Sequence, residues 1–203
     1  MAETILKLSG TNFAFQIDPL RRALRDFDEG RADCIWALDL PLLHKFGVRS
    51  EGLLQSLNVL TSTQRVYTLK GKVGTEGLED LNGRTVGILN GSSIIPELES
   101  VSAVIVPLSS QTTKVEMLYR GRLDAITAWE LDIYATIAAL AFDPDAIVVS
   151  PYIMRASDIR FVCHPGLGTR LFLNQADAAI RTLRSTSEFR AIADRYGLPL
   201  AQR

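Results

Sequence analysis

The sequence predicts an α/β protein of two lobes, each a mostly parallel sheet flanked by helices. Three observations predict it. Short strand-like runs alternate with amphipathic helical runs along most of the chain. Glycines at 71 and 74 and a polar stretch near 150–158 divide the chain into three parts, so 72–149 reads as a second lobe inserted into an outer lobe made of 1–71 and 150–203. Polar residues gather just after strands, at Gly91-Ser92-Ser93 and at Trp129-Glu130, and open α/β sheets take their ligands at the carboxyl ends of strands.

Taken in order, Thr4 to Leu8 reads as a short strand. Pro19 opens a helix with Asp18 as its cap; Leu20, Leu24 and Phe27 share one face, and Gly30 ends it. Residues 32 to 38 form a buried strand, followed by a short helix and a sheet return at LNVLTS. Gln64 to Leu69 is the next strand. In the second lobe, 78–81 makes one helical turn, Asn82-Gly83 a turn, and Thr85 to Leu89 a strand. Gly91-Ser92-Ser93 opens a helix to about Leu98, and Val101 to Val106 is a strand. Gln111 to Arg120 is a helix with Val115, Leu118 and Tyr119 inward. Leu123 to Ala128 is a strand, Glu130 to Leu140 a helix, and Ile147 to Val149 the exit strand. The outer lobe resumes with a strand at Ile159 to Cys163 and two helices, Leu171–Leu183 and Ser187–Tyr196. Ser187 caps the second, Phe189, Ile192 and Tyr196 form its apolar stripe, and Gly197 and Pro199 stop it.

With 47% hydrophobic and 22% charged residues the composition is that of an ordinary globular chain. A formal net charge of -1 gives no footprint for nucleic acid or an anionic membrane, and Arg21-Arg22 and Arg120-Gly121-Arg122 read as solvated faces or turns. No run reaches membrane-spanning length, and the start of the chain lacks a signal-peptide core. The two histidines, His44 and His164, have no metal-ligand spacing, so neither a metal nor a cofactor is expected. Cys34 and Cys163 lie 129 residues apart in apolar runs. They read as two buried thiols, bonded only if their strands are neighbours in an oxidising compartment.

Each candidate site residue carries two readings. Gly91, Ser92 and Ser93 offer backbone N–H groups and hydroxyls to an anion, or simply cap their own helix. Glu130 takes an ammonium group or favours its helix start; Trp129 stacks on a ligand or packs between lobes. Asp132 is the weaker, solvent-facing rival. Trp36 and Asp39 close the outer-lobe strand, as cleft wall or core. Arg65 and Tyr67 lie near the first crossing, where Arg65 pairs with an anionic ligand or with a surface carboxylate. Arg155 and His164 lie near the second crossing.

Four phrases, in order, resemble the family 3 extracellular solute-binding proteins, the type II periplasmic binding fold of amino-acid ABC transporters. They are LRRALRDFDEGRADCIWAL at 20–38, LEDLNGRTVGILNGSS at 78–93, VEMLYRGRLDAI at 115–126, and the closing helices FLNQADAAIRTLRSTSEFRAIADRYG. The resemblance covers about three quarters of the chain. It implies a ligand cleft between two lobes that close by hinge motion, a carboxylate held near Ser92, and an amine near Glu130. There are two departures. The outer lobe is expected to be short of its first strand and helix. The family's Phe-Ser-x-Pro phrase, with an arginine before it for the ligand carboxylate, is missing from the matching region SLNVLTSTQRVYTLKG, where Arg65 sits after the degenerate phrase and Arg49 before it.

The expected function is binding of a small polar molecule (an amino acid, a polyamine or an organic acid) by a periplasmic monomer. The solute is delivered to a membrane permease or read by a sensor. Two rivals stand beside it. One is a lyase like the family's cyclohexadienyl dehydratases, which requires Glu130 and His164 to reach one ligand. The sequence has no nucleophile elbow, phosphate loop, dinucleotide fingerprint or zinc set to favour an enzyme. The other is a ligand-sensing or protein-interaction domain whose cleft has degraded.

Overall fold

The computed structural model describes residues 1–11, 13–72 and 74–195. They divide into two compact units: Met1–Ser62 with the segment from Ser157 onward, and Thr63–Ala156. The boundaries differ from the expected 71/72 and 149/150 because two long strands, β3 (Thr61–Leu69) and β7 (Ile147–Asp158), begin or end in the first lobe and run on into the sheet of the second. A glycine pair marks where β3 ends, not where the lobe begins.

The first lobe starts with helix α1 (Ala2–Ser9), where a strand was expected. The expected window, 4–8, is too short to show the period. Ala2, Ile5 and Leu6 are the buried residues, and their three- and four-residue spacing is helical. Gly10, at φ +67°, closes the helix with its N–H on the Lys7 carbonyl. Helix α2 (Leu20–Asp28) buries Leu24 and Phe27; Asp18 does not cap it but pairs with Arg22 at 3.7 Å. Strand β1 (Cys34–Trp36) and the two-residue β2 (Leu54–Gln55) both pair antiparallel with β8 (Phe161–Cys163). Between β1 and β2 lies helix α3 (Leu40–Lys45). Helix α7 (Leu167–Ser185) packs against α1, and α8 (Ser187–Arg195) follows. Thr186, not Ser187, caps α8: its hydroxyl accepts the Phe189 N–H. Tyr196, Gly197 and Pro199 fall outside the described residues.

The register of β1 on β8 sets Cys34 opposite Cys163, and the two are joined by a disulfide. The default of two free thiols is therefore corrected. The strands are direct neighbours, which separation in sequence alone does not reveal.

The second lobe is a five-stranded sheet in the order β5-β4-β6-β3-β7, where β4 is Thr85–Leu89, β5 Val104–Leu108 and β6 Ala125–Trp129. β4 pairs parallel with β5 and β6, while β3 runs antiparallel to β6. One face is packed by helices α5 (Gln111–Tyr119) and α6 (Glu130–Ala139), with Tyr67, Val115, Leu118, Ile126 and Ile133 in the core. The other is packed by the 3-10 turn Leu78–Leu81 and the short α4 (Ile95–Ser100), over Val66, Val86, Ile88 and Leu98. Thus β-strand alternation along β3 sends Val66 to one core and Tyr67 to the other.

Gly87, central on β4, has no room for a side chain. A Cβ there would stand 2.6 Å from Leu123 Cδ1 and 3.1 Å from Ile126 Cγ2, with the Lys114 stem at 3.3 Å. Gly87→Ala is expected to destabilise the second lobe by about 1–3 kcal/mol, as overpacking does; urea unfolding of the variant measures it.

Candidate functional site

In the second lobe, the turn after β4 and the end of β6 lie side by side, because β4 and β6 are parallel neighbours. This places Gly91, Ser92 and Ser93 at the same end of the sheet as Trp129 and Glu130. The antiparallel β3 brings its own start there, with Gln64 opposite Trp129 and Arg65 opposite Ala128. Six of the residues singled out in this lobe therefore meet at one sheet end: Gly91, Ser92, Ser93, Trp129, Glu130 and Arg65.

Their local roles are more specific than the sequence suggests. Helix α4 begins at Ile95, so Ser92 and Ser93 form a turn ahead of it and do not cap it. The Ser92 N–H bonds to the Leu89 carbonyl, and the turn is half-buried. Arg155, on β7, holds this turn. Its side chain is only 8% exposed, and its guanidinium donates to the Ser93 carbonyl at 2.9 Å and pairs with Glu97. Arg155 was a minor candidate in the sequence; nothing local in it pointed to Ser93, 62 residues away.

Arg65 and Glu130 pair with each other at 3.1 Å, with side chains 22% and 14% exposed. Arg65 also donates to the carbonyls of Ser150 and Pro151, each at 3.2 Å, and to the Thr63 hydroxyl. Trp129 is half-buried at the mouth of α6, and Asp132 is exposed on its first turn. Tyr67 lies elsewhere: it is fully buried among the α5 and α6 side chains, and burial pushes its phenol well above the usual range. It has no surface to offer a solute.

Beneath this end of the sheet lies a residue that sequence reasoning missed. Lys114 sits on α5 facing β4 and is 1% exposed; its ammonium donates to the Thr127 carbonyl at 2.5 Å. Burial lowers its pKa to about 7, against the attraction of Asp132, which raises it. The visible signal was its position: Lys114 precedes Val115 and stands four before Leu118 on an otherwise inward face.

In the first lobe, Asp39 is a structural residue. One carboxylate oxygen accepts the Leu42 N–H at 2.8 Å and caps α3; the other accepts the Asp158 N–H at 2.9 Å. The Trp36 ring packs on Phe161 with centroids 4.4 Å apart, and Phe161 in turn meets Phe172. Between Trp36 and Asp39, Ala37 holds φ +69°, its N–H on the Arg160 carbonyl. A left-handed alanine costs about 1–2 kcal/mol. Ala37→Gly is therefore expected to stabilise this lobe by up to about 1 kcal/mol, after glycine's larger loss of chain entropy; thermal unfolding reads it.

A separate pocket of about 670 Å³ opens in the first lobe, lined by Asp28, His44, Arg49, Glu51, His164 and Pro165 among others. His164 is fixed there, its Nε2 2.6 Å from the Phe27 carbonyl and its ring against Phe27. Arg49, the alternative carboxylate holder, also belongs to this pocket. Among the described residues no group of three His, Cys, Asp or Glu is placed to hold a metal ion. None of the described helices is long and apolar enough to cross a membrane.

The fold is that of the type II periplasmic binding proteins, a two-lobed α/β architecture. It is similar to an ancestral arginine-binding protein bound to glutamine, with a TM-score of 0.69 at 16% identity over 96% of this chain and 84% of that one. It is similar to the amino acid ABC transporter substrate-binding protein AbpA of Streptococcus pneumoniae bound to L-arginine, with a TM-score of 0.68 at 16% identity over 96% and 80%. A truncated, arginine-bound ArgBP from T. maritima gives 0.68 at 18% identity over 90% and 82%. These neighbours are named as binding proteins, not enzymes. No protein-family model and no curated protein sequence matches the chain.

Proposed function

We propose that the chain binds a small polar solute at the sheet end of its second lobe and delivers it to a membrane permease outside the cytoplasm. The observation that carries this is the meeting of the Gly91–Ser93 turn, Trp129 and the Arg65–Glu130 pair at the carboxyl ends of β4 and β6. This is where open α/β sheets take ligands. The three solved proteins named above share the architecture and are described as binding arginine or glutamine, or as bound to them, which supports solute binding as the role of the fold here. The Cys34–Cys163 disulfide supports an oxidising compartment, such as the periplasm. The enzyme reading has no such support: Glu130 is spent on Arg65 in one lobe and His164 is tied to Phe27 in the other.

The test is a thermal-shift screen of the purified protein against amino acids, polyamines, organic acids and uncharged polar solutes. A solute that binds only the folded state at about 100 times its Kd adds roughly 2.7 kcal/mol of stability. A concentration-dependent rise with at least one compound is expected. A well-folded protein that responds to none would move the weight to a protein-interaction role for a site whose charges are already satisfied.

A further inference from the structure

We infer that the first-lobe pocket is a second binding site, separate from the sheet end of the second lobe, and that it takes an elongated dipolar ion. Such a molecule has an ammonium group at one end, a carboxylate at the other and an apolar chain between. The pocket lies wholly within the first lobe and measures about 670 Å³. Cavities of about 300–1,000 Å³ are the size that takes small-molecule ligands. Its walls are held by bonds of their own. His164 is fixed by its Nε2, which donates to the Phe27 carbonyl, by its ring against Phe27, and by its backbone N–H on the Asp33 carbonyl at 2.9 Å. The loop after α3 is tied at three points. The Val48 N–H donates to the Leu43 carbonyl, the Arg49 N–H to Asp28 Oδ1 at 3.4 Å, and the Leu53 N–H to the Ser50 carbonyl.

Both signs of charge line this pocket. Arg49, His44 and His164 supply the basic side, and Asp28 and Glu51 the acidic side. Among the described residues the Arg49 guanidinium, the His44 ring and the Glu51 carboxylate make no hydrogen bond or ion pair, and the Asp28 carboxylate accepts only the Arg49 N–H. An anion alone brings its charge beside Asp28 and Glu51. A cation alone brings its charge beside Arg49. A dipolar ion satisfies both sides: Arg49 takes the carboxylate through its forked N–H groups, and Asp28 and Glu51 take the ammonium. Val48, Leu53 and Pro165 give the chain between the charged ends an apolar surface. The volume favours the longer molecule. In an α-amino acid the two charges share one carbon, and most of the space would stay filled with water. An ω-amino acid and a short peptide carry their charges at opposite ends and share the chemistry the pocket asks for.

The chain has only two histidines, and both line this pocket. Their ring signals in a nuclear magnetic resonance spectrum, assigned with His44→Gln, therefore report the pocket, while the indole signal of Trp129 reports the second lobe. The full chain, at constant pH and 20 mM NaCl, is titrated with two dipolar probes, 6-aminohexanoate and the dipeptide leucyl-alanine. Hexanoate and hexylamine serve as the singly charged halves, and glycine as the short dipolar ion. The expected result is a saturable movement of the histidine signals with at least one dipolar probe, with the two halves and glycine binding about tenfold more weakly or worse. Whichever dipolar probe binds more tightly names the source, free amino acid or peptide. Binding should fall about tenfold in Arg49→Gln and in the double variant Asp28→Asn, Glu51→Gln, as for loss of a charge-assisted hydrogen bond. It should also weaken in 500 mM NaCl, which screens exposed charges. Histidine signals unmoved by both dipolar probes, moved as readily by a singly charged half, or moved equally in Arg49→Gln would overturn the inference. Movement of the Trp129 signal alone would overturn it too, and leave solute binding by the second lobe standing.

Discussion

Lys114→Met is expected to make the second lobe more stable at pH 6 and to abolish a pH dependence that the native chain shows between about pH 7 and 10.5. In the folded state burial holds the Lys114 pKa at about 7, below its ordinary 10.5. The unfolded chain therefore binds more protons throughout that window, and stability rises with pH across it. Below pH 7 the lysine is charged in both states and the burial penalty is carried in full. Above 10.5 it is neutral in both and the penalty is gone. The shift corresponds to about 5 kcal/mol at most. Methionine removes that penalty but leaves the Thr127 carbonyl without its donor, which costs about 1–3 kcal/mol. A net gain of about 1–3 kcal/mol at pH 6 is expected, or roughly 2–12 °C in Tm for a chain of this size. At pH 11 the order reverses and the native lysine is the more stable by the bond it keeps. Urea titrations of both proteins from pH 5 to 11 check this; parallel pH profiles would show that Lys114 is not paying a burial penalty.

The second large effect belongs to the first lobe. Replacing both Cys34 and Cys163 with alanine is expected to cost that lobe about 4 kcal/mol. The bond closes a loop of 129 residues, for which the chain-entropy account gives about 5 kcal/mol. The second lobe lies within that loop, between residues 63 and 156. If it stays folded while the first lobe opens, the flexible part of the loop is only residues 35–62 on one side and 157–162 on the other, and the effect drops to about 4 kcal/mol. Comparing native and double-alanine proteins by calorimetry separates the cases: the first-lobe transition should move while the second-lobe transition stays. A dithiothreitol-treated native protein should follow the variant.

Much of this architecture was legible because its elements carry their own punctuation. Thr85–Leu89 and Glu130–Ala139 stand as expected to within a residue, bounded by Asn82-Gly83 on one side and by the strand-to-helix switch at Trp129 on the other. Where local signals are short, tertiary context decided. Helix α1 needed Ala2 to reveal its period, and α4 started late because the 91–94 segment turns before Pro96. Long-range facts left no trace in composition. The Cys34–Cys163 bond depends on β1 pairing with β8. The satisfaction of Arg65 by Glu130 depends on β3 lying antiparallel to β6, and the same pairing puts Tyr67 in the core two positions from a surface arginine. Residue types identified the candidates; only the sheet order shows which of them are already paired.

The chain has two tryptophans, one in each lobe, Trp36 on β1 and Trp129 on β6. Their two indole N–H signals in a nitrogen-15 spectrum, assigned with Trp36→Phe, therefore report the lobes separately. The most direct test of solute binding is to titrate this sample with the compound giving the largest thermal shift. A saturable movement of the Trp129 signal, at a concentration matching the thermal response, is the predicted result. A thermal response with the Trp129 signal unmoved to saturation would contradict the second-lobe site.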